Sequence, residues 1–193
     1  MISPHNGNIF SNAGLKDGKF YPLSLQYRPY TATTNVRQTS ISGDVLSNGA
    51  KENRSYYGAT SLIGNEYDLD SVLNARAKIA EIEGRTTRKI PLIVALKAVN
   101  PTVVSEFERQ VDAIVTGFSV SDQAYFDIIL GRQEPKGLLP IQFPRDMATV
   151  EAQKEDVGQD LTPYTDEMGN VYDFGYGLNY RGIISDERTA KYR

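Results

Sequence analysis

Two apolar runs constrain this chain more than any other feature. "KIPLIVALKAV" carries a continuous hydrophobic stretch from Ile90 to Leu96, and "VDAIVTGFS" carries a shorter one, Ala113 to Val115, after Asp112. Neither run alternates with polar residues as a half-wet strand would, so each reads as a strand buried on both faces. That pattern belongs to parallel sheets covered by helices. Helical spacing surrounds the two runs. "DLDSVLNARAKIAEIEG" places Leu69, Val72, Leu73, Arg76, Ile79 and Ala80 on a 3.6-residue period, with an aspartate leading and Gly84 closing it. "TVVSEFERQ" predicts a short helix. "SDQAYFDIILG" predicts another, capped by Ser121 or Ser119 and ended by Gly131. "LLPIQFP" predicts a short last strand, kept near an edge by Pro140 and Pro144. The alternation gives an α/β fold, an open and mostly parallel sheet flanked by helices, an α/β sandwich. Three strands leave an unpaired edge, so the sheet reads as incomplete in its N-terminal half. Such an edge favours self-association into a homo-oligomer.

The rest of the chain is less regular. Residues 1–66 are rich in Asn, Gly, Ser, Thr and Tyr and form a loop-rich segment of the same domain; 67–182 form the sandwich core and 183–193 a C-terminal tail. "LSLQYRPYTA" holds at most a short extended stretch, because Pro29 confines it to an edge or loop. An irregular segment this long serves function or leans on something else.

Composition removes whole classes of chemistry. A net charge of −3 speaks against nucleic acid or an anionic membrane as partner. The cluster Arg85, Arg88 and Lys89 reads as a solvated turn, and no apolar run approaches the ~20 residues of a membrane span. "MISPHNGNIF" lacks a basic n-region before an apolar stretch, so no signal peptide is read there. The compartment stays open: cytoplasmic, or periplasmic or secreted if the chain is the tail of a longer enzyme. With one histidine and no cysteine, a Ser-His-Asp triad has only His5 to use, and a zinc site would need mostly carboxylates. Neither a Gly-x-Gly-x-x-Gly nor a Gly-Lys-Ser/Thr phosphate loop occurs. No metal and no cofactor are expected, and carboxylates remain as the main acid–base candidates.

Three motifs in order then carry a resemblance. "VDAIVTGFSVSDQAYFDIILGRQEPKGLLPIQFP" has Gly131, Pro135, Gly137, Leu139, Pro140 and Pro144 at the offsets of a "GDxxPSGKLPxTFP" turn. "PLIVALKAVNPTVV" is similar to the preceding strand with its Asn-Pro turn, and "YDFGYGLNY" is similar to an "FGYGLSY" signature. Together, over Asp68 to Tyr180, they resemble the C-terminal α/β sandwich domain of family 3 glycoside hydrolases, the β-glucosidase and β-xylosidase type. "PLSLQYRPYTA" and "ENRSYYG" resemble a bacterial subgroup of that family, in which "MISP" would be the tail of a strand.

The resemblance implies a retaining β-glycosidase, which needs a nucleophile and an acid/base carboxyl roughly 5 Å apart. In the family the nucleophile is an aspartate on a separate (β/α)8 barrel, a domain of ~250 residues. This chain would therefore meet its carbohydrate substrate only together with a barrel that it lacks. The acid/base comes from a sandwich loop, and here the sequence departs from the family pattern. "ISGDV" offers Asp44 where Glu would stand, and "KENRSYYG" offers Glu52 and Arg54. Glu52 is the candidate acid/base; Asp44, Arg54 and Tyr57 are the candidate substrate contacts, Tyr57 or Tyr56 by stacking on a pyranose face. Asp122 in "VSDQ" reads as helix N-terminal charge rather than the nucleophile. The family's loop after the second strand is altered to "FSVSDQA". A non-catalytic α/β binding or interaction module is the alternative reading. A flavodoxin-like nucleotide binder ranks below both, for want of a phosphate loop.

Overall fold

Helix α1 spans Asp68–Arg85 and buries Leu69 and Val72, one turn apart. Asp68 and Asp70 lie in its first turn and Arg85 in its last, the arrangement the helix dipole favours. The helix runs through Gly84, so that glycine does not close it as its position in the sequence suggests. The computed structural model describes residues 28–34, 57–61, 68–98, 100–154 and 157–192. Most of the loop-rich segment 1–66 therefore lies outside the described residues.

Strand β1, Ile93–Ala98, pairs in parallel with β2, Ala113–Phe118, in the register Ile93 with Ala113 through Ala98 with Phe118. In β1, Val94, Leu96 and Ala98 share one face and join Leu69 and Val72 of α1 in the core. Ala95, on the opposite face, is buried as well. Burial on both faces is what the unbroken apolar run foretold, and the fold is α/β with a parallel pair flanked by helices. β2 is less covered than β1, with Gly117 its one fully buried residue. Its start is tied to the sheet twice, since Asp112 accepts from the Leu92 amide at 2.7 Å and its own amide donates to the Leu92 carbonyl.

The connection between the strands is not the helix that "TVVSEFERQ" suggests. It forms two 3-10 turns, Val104–Glu106 and Glu108–Gln110, with Phe107 at φ −139 between them. Val104 and Phe107 are both buried in the core, three residues apart, and the tight turn brings them to one side. Helix α2, Asp122–Ile129, begins as expected at Ser121, whose hydroxyl accepts from the Ala124 amide. Gly131 follows it at φ +71. Tyr125 of α2 reaches down to the sheet, donating to the carbonyls of Leu96 at 2.9 Å and Gly117 at 3.1 Å.

"LLPIQFP" is not a third strand of the sheet. Pro140 and Pro144 have no N–H to offer a ladder. The segment instead pairs piecemeal with the C-terminal region. Leu139 donates to Tyr176 and accepts from Gly175, while Phe143 donates to Tyr172 and accepts from Tyr164. Phe143 and Tyr164 complete the core. Among the described residues the parallel sheet has two strands. Helix α3, Met147–Ala152, is capped by Asp146, which accepts from both the amide and the hydroxyl of Thr149.

The C-terminal "DFGYGLNY" is anchored along its length. Gly175, at φ +77, lies against the ring of Tyr192, and a side chain on Gly177 would collide with the Gly137 carbonyl. Tyr176 packs on Tyr172 at 5.1 Å, Tyr172 on Tyr164 at 5.3 Å, and Phe174 stacks on Tyr192 at 6.5 Å. Tyr180 donates to the carbonyls of Ile128 and Gln133. A short hairpin, β3 (Leu178–Asn179) with β4 (Gly182–Ile183), follows, and the final 3-10 turn Thr189–Tyr192 brings Tyr192 back over Gly175.

Candidate functional site

Of the four residues expected to form the site, Asp44, Glu52 and Arg54 lie outside the described residues. Tyr57 sits in the turn 57–58, which Gly58 completes at φ +72. Tyr57 is 65% exposed.

Segments 28–34 and 57–61 run antiparallel. Ala32 donates to the Ala59 carbonyl, Gly58 to that of Ala32, and Ser61 to that of Tyr30. The Tyr30 amide donates to the Ser61 hydroxyl at 2.8 Å, and the Thr31 and Thr60 hydroxyls meet at 2.9 Å. Ala32 and Ser61 are almost wholly buried between them. The chain therefore leaves for residue 35 and returns from residue 56 at one place.

That place is fastened to α3 by Glu151, a carboxylate only 4% exposed. Its oxygens accept from the Thr33 amide at 3.0 and 3.1 Å, the Thr33 hydroxyl at 2.9 Å, and the Thr34 amide and hydroxyl at 2.9 Å. The Tyr30 hydroxyl also bonds to it. Burial by itself pushes the Glu151 carboxyl up, but these donors outweigh burial and hold it below the usual carboxylate range. Burial and the Glu151 charge push the Tyr30 phenol up to about 12, so it stays a proton donor. A general acid requires the opposite tuning, a carboxyl raised toward the working pH. Glu151 is thus built to hold backbone, not to deliver a proton. Sequence reading missed it because its partners stand 117 and 118 residues upstream, and "MATVEA" carries no motif.

The carboxyl end of the parallel pair is the other place where an α/β sheet presents residues to ligands. There Ser119 adopts φ +56, unusual for a residue with a side chain. Asp122 opens α2, as its dipole-favoured position suggests, and also pairs with Lys97 of β1 at 2.7 Å. The C-terminal tyrosines form a third cluster. Tyr164 donates to Glu108 at 2.9 Å, and burial pushes both the Tyr172 and Tyr176 phenols up, Tyr176 to about 12. The Tyr172 ring meets Tyr164 edge-on and Tyr176 at a tilt, a packing role at the side of the core. Among the described residues, no group of three His, Cys, Asp or Glu side chains is placed to hold a metal ion. No helix of the described residues is long and apolar enough to cross a membrane.

Comparison with known proteins supplies the context for these features. Residues 45–180 match the glycosyl hydrolase family 3 C-terminal domain, a span that includes Glu52, Arg54 and Tyr57. The chain is 34% identical over 91 residues to beta-glucosidase C of Emericella nidulans, covering 47% of this chain and 14% of that protein. It is 32% identical over 114 residues to a periplasmic beta-glucosidase of Salmonella typhimurium, covering 51% and 15%. It is 27% identical over 137 residues to a putative beta-xylosidase of Formosa agariphila, covering 65% and 18%. The chain thus spans less than a fifth of the length of each of these relatives. With a matched region that takes in well over half of its residues and an α/β core built as that region requires, the chain belongs to the glycosyl hydrolase family 3 C-terminal domain family.

Proposed function

We propose that this chain is the sandwich portion of a retaining β-glycosidase acting on β-linked glucosides or xylosides, with its nucleophile supplied by a (β/α)8 barrel domain. The observation that carries the reading is the family match over residues 45–180, supported by relatives whose names are beta-glucosidase and beta-xylosidase. On this reading Glu52 protonates the leaving oxygen and later deprotonates water, while Asp44 and Arg54 bind sugar hydroxyls and Tyr57 stacks on the ring. The exposure of the Tyr57 ring supports the last of these roles. Two opposed carboxyls about 5 Å apart are required for the glycosyl-enzyme intermediate to form and break. The chain by itself supplies one side of that pair.

Nitrophenyl β-glucoside and β-xyloside test the reading. The chain alone is expected to turn over neither. Joined to a family barrel domain it is expected to hydrolyse at least one, with the joined Glu52→Gln enzyme strongly impaired. Robust hydrolysis by the isolated chain that disappears on Glu52→Gln would refute the requirement for a barrel. An inactive joined enzyme would refute the assignment.

A further inference from the structure

Residues 165–171 form a tight hairpin whose tip displays Met168, 88% exposed. Thr165 and Val171 bridge antiparallel at its base. The Asp166 amide donates to the Asn170 carbonyl, and the Asp166 carbonyl accepts from Gly169. The Asp166 carboxylate also accepts from the amides of Met168 at 2.9 Å and Asn170 at 2.8 Å, and from the Asn170 side chain at 2.7 Å. Gly169, at φ +83, completes the turn. These contacts are made by other residues or by the Met168 backbone, so the thioether is not what holds the tip. Met147 is the opposite case: only 7% exposed, it opens α3 just after the Asp146 cap. Met1, the third methionine of the chain, lies outside the described residues.

We propose that Met168 is a site of reversible oxidation by peroxides, one that takes up oxygen without cost to the fold. A thioether lone pair attacks one peroxide oxygen and forms the S–O bond. The O–O bond breaks, the departing hydroxide takes up the proton carried by the transferred oxygen, and a sulfoxide and water result. Sulfur loses two electrons and the peroxide gains them. Access of the oxidant decides which methionine reacts, and a sulfoxide is polar enough to disrupt a core. At residue 168 the new S–O dipole projects into water, whereas at residue 147 it would be buried and its lost hydration uncompensated. The same exposure opens the sulfoxide to methionine sulfoxide reductase, which restores the thioether at the expense of a dithiol. This chemistry is independent of the proposed glycosidase activity.

Hydrogen peroxide and peptide mass mapping test the site on the native chain. Met168 is expected to gain oxygen about tenfold faster than Met147, the ratio of their exposures. In urea-unfolded chain the two rates should converge. While only Met168 is oxidised, the urea midpoint should stay at its unmodified value. Methionine sulfoxide reductase with dithiothreitol should then remove the oxygen from the folded chain. Met168→Leu should keep the urea midpoint and abolish the fast uptake. Equal rates at the two methionines of the native chain, or Met147 reacting first, overturn the assignment. A rate difference that persists in the unfolded chain overturns it too, because its cause would then lie in local sequence rather than in the fold. A midpoint that falls in step with Met168 oxidation overturns the absence of cost, and a sulfoxide that the reductase removes only after unfolding overturns the reversibility.

Discussion

Replacing Gly117 by alanine tests how the parallel pair is locked to α2. A Cβ at this position would lie 2.6 Å from the Tyr125 hydroxyl oxygen and 2.8 Å from the ring carbon that bears it, and would strike the Val120 side chain. Val120 is 44% exposed and can swing outward, so it yields at little cost. Tyr125 is 2% exposed and tethered through its hydroxyl to the carbonyls of Leu96 and Gly117, so it cannot. Overpacking of this kind costs about 1–3 kcal/mol. Displacing a buried hydroxyl from its acceptors adds about 1–3 kcal/mol. The substitution should therefore destabilise the chain by about 2–6 kcal/mol, a large share of the about 5–15 kcal/mol a domain possesses. Tyr125→Phe alone forfeits only the hydrogen bonding, about 1–2 kcal/mol. In the Tyr125→Phe background the alanine no longer has a bond to break, so the two effects should fall short of additivity by about 1 kcal/mol or more. Urea titration followed by far-ultraviolet circular dichroism and tyrosine emission reads all four proteins, the chain having no tryptophan and 12 tyrosines. A Gly117→Ala protein within about 0.5 kcal/mol of wild type would refute the lock, as would strict additivity of the two changes.

Other outcomes follow from the same structure. Leu96→Ala removes a side chain with no solvent exposure from the centre of the core and should cost about 2–5 kcal/mol in urea titration; a loss below about 1 kcal/mol would mean the site collapses around the cavity. Acid should loosen the α3 region. For Asp146 and Glu151, burial raises the carboxyl and donated hydrogen bonds more than offset it, so both are lowered on folding. Groups lowered on folding contribute stability in full above the ordinary carboxylate range near about pH 4, and lose it as pH falls through their folded values. The urea midpoint should thus hold steady toward about pH 5 and fall below about pH 4, less steeply in Asp146→Asn than in wild type. Parallel acid profiles for the two proteins would remove Asp146 from the explanation.

How legible each part was depended on how local its cause is. α1, β1, β2 and α2 could be read from periodicity and caps, because a 3.6-residue pattern, an unbroken apolar run and a Ser-to-Gly bracket arise within one segment. "TVVSEFERQ" misled because Val104 and Phe107 suit either helical form, and their burial in a tight corner selected the 3-10 turns. "LLPIQFP" misled because its strand-like composition says nothing about which neighbour has a free ladder. With Pro140 and Pro144 unable to donate, the segment found its partners at residues 164, 172, 175 and 176 instead. The aromatic residues at the C-terminus signalled an anchored end, but not that Tyr192 would fold back over Gly175. Of the candidate site residues, Asp44, Glu52 and Arg54 lie outside the described residues, and Tyr57 lies exposed in the turn that Gly58 completes.

The amino-acid order alone determined the α/β class, the two central strands and the family to which the chain belongs. These follow from short-range patterning and from motifs whose residues are near neighbours. Only the tertiary structure decided that Glu151 would anchor residues 28–34, and that Tyr125 would join both strands through its hydroxyl. A buried carboxylate or phenol acquires its role from the donors and acceptors that packing brings to it, and those come from 8 to 118 residues away. No local pattern encodes such a meeting, because it exists only once the intervening chain has folded.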